Sequence, residues 1–246
     1  TSSAEDWFFN PEHEGNFLTT RVGLFDVWMA AVETLPVGSP SRTGFVPVFE
    51  PGLVKGEEWA ASFTDTGEWP FSIVDSGLLL ELRGRLNLLK AQEASRPPEE
   101  RVDLASTGVE LIRKGGDPEA NLLSLLAAGK TLQGLGRSDL AVAKWKEALE
   151  LAERLSYVEK AMQAASLLAT EYSQQKNWQE AAVYAEKTSQ KVEESVVLVA
   201  NDAEGSRQLA LTSERATEVS VKAAVQAKEP EKALAALVRG KDAQSA

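Results

Sequence analysis

The 246-residue chain is predicted to be all-α, built of antiparallel helical hairpins stacked as a solenoid behind an irregular, aromatic-rich N-terminal segment. Three observations predict this. From about Ser76 onward Ala, Leu, Glu, Lys and Gln dominate, all strong helix formers. The breaks between apolar-periodic stretches are short, as antiparallel helical neighbours require. Small and aromatic residues also recur at helical spacing around "GRSDLAVAKWKEALELAERL", residues 136–155.

Composition changes near residue 75. Residues 1–75 hold twelve Asp or Glu against Arg21, Arg42 and Lys55, whereas residues 76–246 hold 25 acids against 23 bases. The first segment also contains all eight Phe and four of the six Trp, namely Trp7, Trp28, Trp59 and Trp69. Two modules are therefore expected: an acidic, aromatic-rich cap or tether over 1–75 and a helical repeat domain over 76–246.

Within the first module only "FLTTRVGLFDVWMAAVETL", residues 17–35, has helical spacing, with Phe17, Val22, Phe25, Trp28, Met29 and Val32 on one side. Pro36 and Gly38 stop it. From Ser39 to Phe71 the chain reads as turns with short extended pieces such as "FVPVF", where Pro47 argues against a central strand. So many rings with so little regular pattern need a surface to cover them. The helical half supplies one, which makes the segment a cap over its first hydrophobic face. The alternative is a tether gripping another subunit, for which Trp7, Phe8 and Phe9 are the candidate partner contacts.

The second module begins with the helical stretch "GLLLELRGRLNLLKAQEA" and the break "SRPPEER", whose Pro97 and Pro98 suit the start of a helix. "ERVDLASTGVELIRK" follows and "GGDPE" ends it. Then come "NLLSLLAAGKTLQGL", "RSDLAVAKWKEALELAERL", "YVEKAMQAASLLATEYSQQ", "NWQEAAVYAEKTSQKVEESVVLVAN", a helix near 204–226, and "EPEKALAALVRGKDAQ".

In this series Leu125, Ala128, Gly129 and Leu132 fall on one helix, Gly136 in the turn, and Ala141, Trp145 and Ala148 on the next. Gly129 and Ala141 are small where two helices cross closely, and Trp145 fills the wedge that opens farther along. Residues 122–155 thereby resemble one unit of the tetratricopeptide family, a 34-residue helix-turn-helix repeat. A second unit is weaker: Ala169 and Tyr172 take the small and aromatic first-helix positions, and Ala181 and Ala185 follow "QKNW". The interval from Ala141 to Ala181 is 40 residues, which points to longer helices. Residues 204–240 give a degenerate third match with Ala233 and Leu237, and 77–114 lacks the signature.

The resemblance implies a binding surface rather than a reaction centre. In the family's peptide clamps, Lys and Asn side chains on first helices hold a terminal carboxylate. By position, Lys130 stands at an Asn site and Thr170 at the same site of the next unit, with Gly134 and Gln174 one turn later. That departure argues against such a clamp and reads Lys130 as a solvated residue or a partner contact. The stretch "AVQAKEPEKALAALVRGKDAQS" resembles the segment that runs from a final repeat into a protease-like domain in many bacterial repeat proteins.

A formal net charge of -11 repels polyphosphate, so nucleic acid and anionic membranes are not expected as partners. The absence of cysteine excludes disulfides, thiolate metal sites and cysteine nucleophiles, and leaves the compartment open. No apolar run approaches transmembrane length, so no transmembrane insertion is expected. The start "TSSAEDWFF" is compatible with a removed targeting segment.

Candidate chemistry is sparse. His13, the single histidine, lies between Glu12 and Glu14, a set able to bind a divalent metal but more simply read as a solvated turn. Glu57, Glu58, Asp65 and Glu68 stand among aromatics without a diagnostic spacing, and neither "AAGK" nor "IRKGGDPE" has phosphate-loop spacing. No catalytic, cofactor or metal residue is therefore assigned. The expected function is a non-enzymatic scaffold or adaptor holding another protein or a peptide. The alternatives are a structural subunit of a large membrane-bound or organellar complex, and a small-ligand or carbohydrate-binding enzyme using carboxylates.

Overall fold

A computed structural model describes residues 27–37, 39–64, 76–199, 203–229, 232, 233, 235 and 236. These residues form helices joined by short turns and contain no strand. The fold is all-α, with helices packed in neighbouring pairs. The chain divides into two compact units, Thr1–Leu135 and Gly136–Ala246, and the change of composition near residue 75 falls inside the first.

In the first unit, residues 27–33 are helical and are the described part of the helix expected over 17–35. The Thr34 hydroxyl donates to the Ala31 carbonyl at 2.7 Å where this helix ends. Helix α1 follows, Pro40–Thr64. It corrects the expectation of turns and extended pieces after Ser39 as far as the described residues reach. Val46, Phe49 and Leu53 recur in steps of three and four and are buried, an apolar helical stripe present in the sequence itself. Burial of each large side chain stabilises by about 1.5–3 kcal/mol. That offsets Pro47 and Pro51, each costing about 3 kcal/mol in a helix interior. Both prolines are exposed, as is Thr43, whose carbonyl together with that of Pro47 loses its intrahelical donor.

Helix α2, Ser76–Ala91, lies between two partners. On one side Leu79, Leu82, Leu86 and Leu89 form a single apolar cluster with Met29, Val32, Val46, Phe49 and Leu53. Residues 27–64 thus lie over α2 as a strap. On the other side α2 meets α3, Pro98–Gly115, through glycines seven residues apart in each helix. A Cβ on Gly84 would stand 2.5 Å from the Gly108 carbonyl oxygen, and one on Gly115 would stand 2.7 Å from that of Gly77. The two backbones touch, which only glycine permits. This seam is the small-residue contact that the sequence of 77–114 did not disclose through tetratricopeptide spacing.

Helix α3 starts at Pro98 as expected and ends at Gly116, whose φ of +92° closes the turn. Asp117 caps α4, Pro118–Gly134, by accepting from the Glu119 amide at 2.9 Å.

The second unit contains α5, Ser138–Arg154; α6, Val158–Gln174; α7, Trp178–Val199; and α8, Ala203–Gln226. Helix α6 packs against α5, α7 and α8, and Met162, Val192 and Leu209 join α6, α7 and α8 in one apolar cluster. The turns share one geometry. The amides of Tyr157, Asn177 and Glu229 donate 2.9 Å bonds to the carbonyls of Ala152, Tyr172 and Ala224, and Ser156, Lys176 and Lys228 take φ near +60°. Left-handed residues therefore stand at Gly116, Gly136, Ser156 and Lys176, 20 residues apart each time. The repeating element is one helix plus one turn of that length, so a hairpin spans two such intervals. This accounts for the 40-residue interval from Ala141 to Ala181.

Candidate functional site

The repeat-signature residues are core residues. Leu125 and Leu132 in α4 are fully buried and Gly129 is buried beside them; Gly136 occupies its turn with φ +72°. In α5 Ala141, Trp145 and Ala148 are fully buried. The same register continues as Ala161 and Ala181 in α6 and α7, each at most 1% exposed, and Tyr172 is buried at 8%. A side chain buried in this way cannot itself be a partner contact.

Two surfaces remain as candidates in these units, each described within its own unit. In the second, α6 carries a stripe of Gln163, Ser166, Thr170 and Ser173 that is half-buried along its length, with exposed Gln174 at its end. The Thr170 hydroxyl donates to the Ser166 carbonyl at 2.9 Å, so this floor is polar but partly satisfied internally. Thr170 and Gln174 are the positions marked by the sequence comparison with peptide clamps. Lys130 is exposed on α4 in the first unit. Trp7, Phe8, Phe9 and His13 lie outside the described residues, as do Asp65, Glu68 and Leu237.

Three residues from consecutive helices converge nearby in the second unit. The Lys146 ammonium of α5 lies 5.6 Å from the centre of the Tyr172 ring of α6, which stacks on Tyr184 of α7 with centroids 5.6 Å apart. The Tyr172 hydrogen bond holds Lys146 above the usual lysine value. Burial pushes the half-buried Tyr184 phenol up, against the opposing pull of Lys146. Lys187 of α7 reaches Glu153 of α5 at 3.2 Å, a second tie between the same helices. None of this was legible beforehand, because Lys146, Tyr172 and Tyr184 are brought together only by the packing of three helices.

In the first unit the bed under the strap combines Leu79, Leu82, Leu86 and Leu89 with Arg83, Arg85 and Lys90. Arg85 binds both oxygens of Glu33, at 3.0 and 2.8 Å. Arg83 donates through Nε to Glu57 at 2.9 Å and through a second nitrogen to the other oxygen, which holds the guanidinium above its usual range. Lys90 pairs with Glu50. Arg42 from the strap donates to the Leu35 carbonyl at 2.6 Å and to the Gln92 side chain, and its burial pulls its pKa down. Among the described residues no helix is long and apolar enough to cross a membrane.

No protein-family model matches the chain, and no curated protein matches it. Among solved structures the chain is similar to BtubC (BKLC) from P. vanneervenii, with TM-score 0.60 and 16% identity over 96% of this chain and 84% of that one. At that identity the likeness is one of fold. A signal transduction ATPase with numerous domains that carries a tetratricopeptide repeat sensor, from Pyrococcus horikoshii, also matches, with TM-score 0.48 and 18% identity. This chain covers 34% of that protein, about a third of its length.

Proposed function

We propose that this chain is a tetratricopeptide-like, non-enzymatic interaction scaffold that holds another protein or a peptide segment. The observation that supports the reading is the regular 20-residue interval of helix and turn, with Ala141, Ala161 and Ala181 buried at equivalent points. An element repeated in this way uses one side of each helix for its neighbours and leaves another side for a partner. The half-buried stripe on α6 is the proposed seat in the second unit. It would hold an extended or helical segment through side-chain amides and hydroxyls; Lys130, exposed in the first unit, is a separate candidate contact of that unit.

The decisive measurement is the mass of the protein recovered intact from its source by gentle extraction and size separation. A particle well above 26.6 kDa with a second protein in fixed ratio is the expected result. Recovery only as a lone monomer at every concentration overturns the stable-scaffold reading. Once the companion is in hand, Thr170→Arg is expected to weaken its binding at least about tenfold while leaving the unfolding midpoint unchanged.

A further inference from the structure

The strap and its bed are unequal partners. Helix α2 is anchored independently on α3 by the glycine seam. Helix α1 has no such support: Gly44, Pro47, Pro51, Gly52 and Gly56 fall within its 25 residues, a composition that does not sustain a helix in water. Its helical form depends on the cluster of Val46, Phe49 and Leu53 with the leucines of α2. Arg85 also stands 3.7 Å from Glu81 of its own helix, and the strap's Arg42 donates to Gln92, but the closest ion pairs between strap and α2 run one way. In the pairs Glu33–Arg85, Glu57–Arg83 and Glu50–Lys90, the acid belongs to the strap and the base to α2. Glu50 also stands 3.7 Å from Arg83.

We propose that the apolar, basic face of α2 is a docking site for an acidic amphipathic helix, and that residues 27–64 are its resident, displaceable occupant. The chemistry of the incoming segment follows from what the strap presents: apolar residues in steps of three and four, with carboxylates placed to meet Arg83, Arg85 and Lys90. A partner helix with better intrinsic helicity than α1 forms the same contacts at a smaller cost in ordering. The strap in turn is joined to α2 through residues 65–75 and competes at high effective concentration, which keeps the bed closed until such a partner is present. When displaced, the strap unfolds as one unit while α2 and α3 stay paired.

The test uses the full chain and a synthetic peptide of residues 40–64 in which Pro47 and Pro51 are replaced by Ala. Binding of the labelled peptide is followed by fluorescence anisotropy, and amide hydrogen exchange is followed over 27–64 and over 98–115. Saturable binding is expected, with faster exchange over 27–64 and unchanged exchange over 98–115. In the unmodified chain without peptide, raising salt from about 0.05 M to about 0.5 M is expected to speed exchange over 27–64 several-fold relative to 98–115. In the Arg83→Glu, Lys90→Glu double variant, strap exchange is expected to rise and peptide binding to disappear. If that variant loses protection over 98–115, the salt series and the peptide titration on the unmodified chain decide. Absence of peptide binding, binding that leaves strap exchange unchanged, or exchange over 27–64 and 98–115 that always moves together would each overturn the proposal.

Discussion

Trp145 heads the fully buried side chains by volume, and Ala141 and Ala148, one turn either side of it on α5, are fully buried as well. Trp145→Ala is expected to cost about 3–5 kcal/mol, read as a lowered denaturant midpoint for the second unit. The turns offer the opposite change. Ser156 and Lys176 hold φ of +59° with an L side chain, so Ser156→Gly and Lys176→Gly are each expected to stabilise by roughly 0.5–1 kcal/mol, whereas Gly136→Ala, at φ +72°, destabilises by about as much. Thermal unfolding of the three variants checks both signs. The raised pKa values of Lys146 and Tyr184 make a pH prediction. Lys146 keeps its proton longer when folded, so its contribution is complete below the ordinary value of 10.5 and is lost as pH rises through the folded value. Tyr184 also binds its proton more tightly when folded, so stability falls again as pH climbs past 10.0. Both act in one direction, and the melting temperature is expected to drop between about pH 9 and about pH 11. Lys146→Met removes the cation that favours the phenolate, so Tyr184 is expected to titrate later still, measured by ultraviolet absorbance.

At the scale of elements, the helices from α2 to α8 were visible in the sequence because their apolar spacing and their capping residues agree. Pro98 opens α3, Gly116 closes it, and Asp117 caps α4. Helix α1 was not visible, because Pro47 and Pro51 signal a break and the burial of Phe49 and Leu53 that overrides them lies on another element. Replacing an exposed proline by a helix former therefore has a definite expected result: Pro47→Ala restores a backbone donor and slows hydrogen exchange across 40–57, by an amount set by a stabilisation of up to about 3 kcal/mol. The α2–α3 seam has the reverse sensitivity. Gly84→Ala pushes a methyl against the Gly108 carbonyl and the Ile112 side chain, and is expected to cost about 1–3 kcal/mol in the first unit by chemical denaturation. Heptad-spaced glycines were the sequence signal for this contact.

For the whole molecule, net charge bears on which partners are expected. With a net charge of -11, the chain is expected to show no binding to random duplex DNA in about 0.15 M salt, measured by fluorescence anisotropy. The likeness to BtubC extends over 96% of the chain at 16% identity, and it is a likeness of fold. The sequence by itself determined the helical class, most of the helix boundaries and the acidic character of the first module. These follow from local propensity and from periodicity along one helix, which need no knowledge of neighbours. Only the tertiary structure decided that residues 40–64 are helical, that four glycines let α2 and α3 touch, that Lys146, Tyr172 and Tyr184 meet, and that acids of the strap face bases of α2. Each of these is a contact between residues far apart in the chain. Its energy depends on which surfaces are buried together, a quantity that no window of sequence contains.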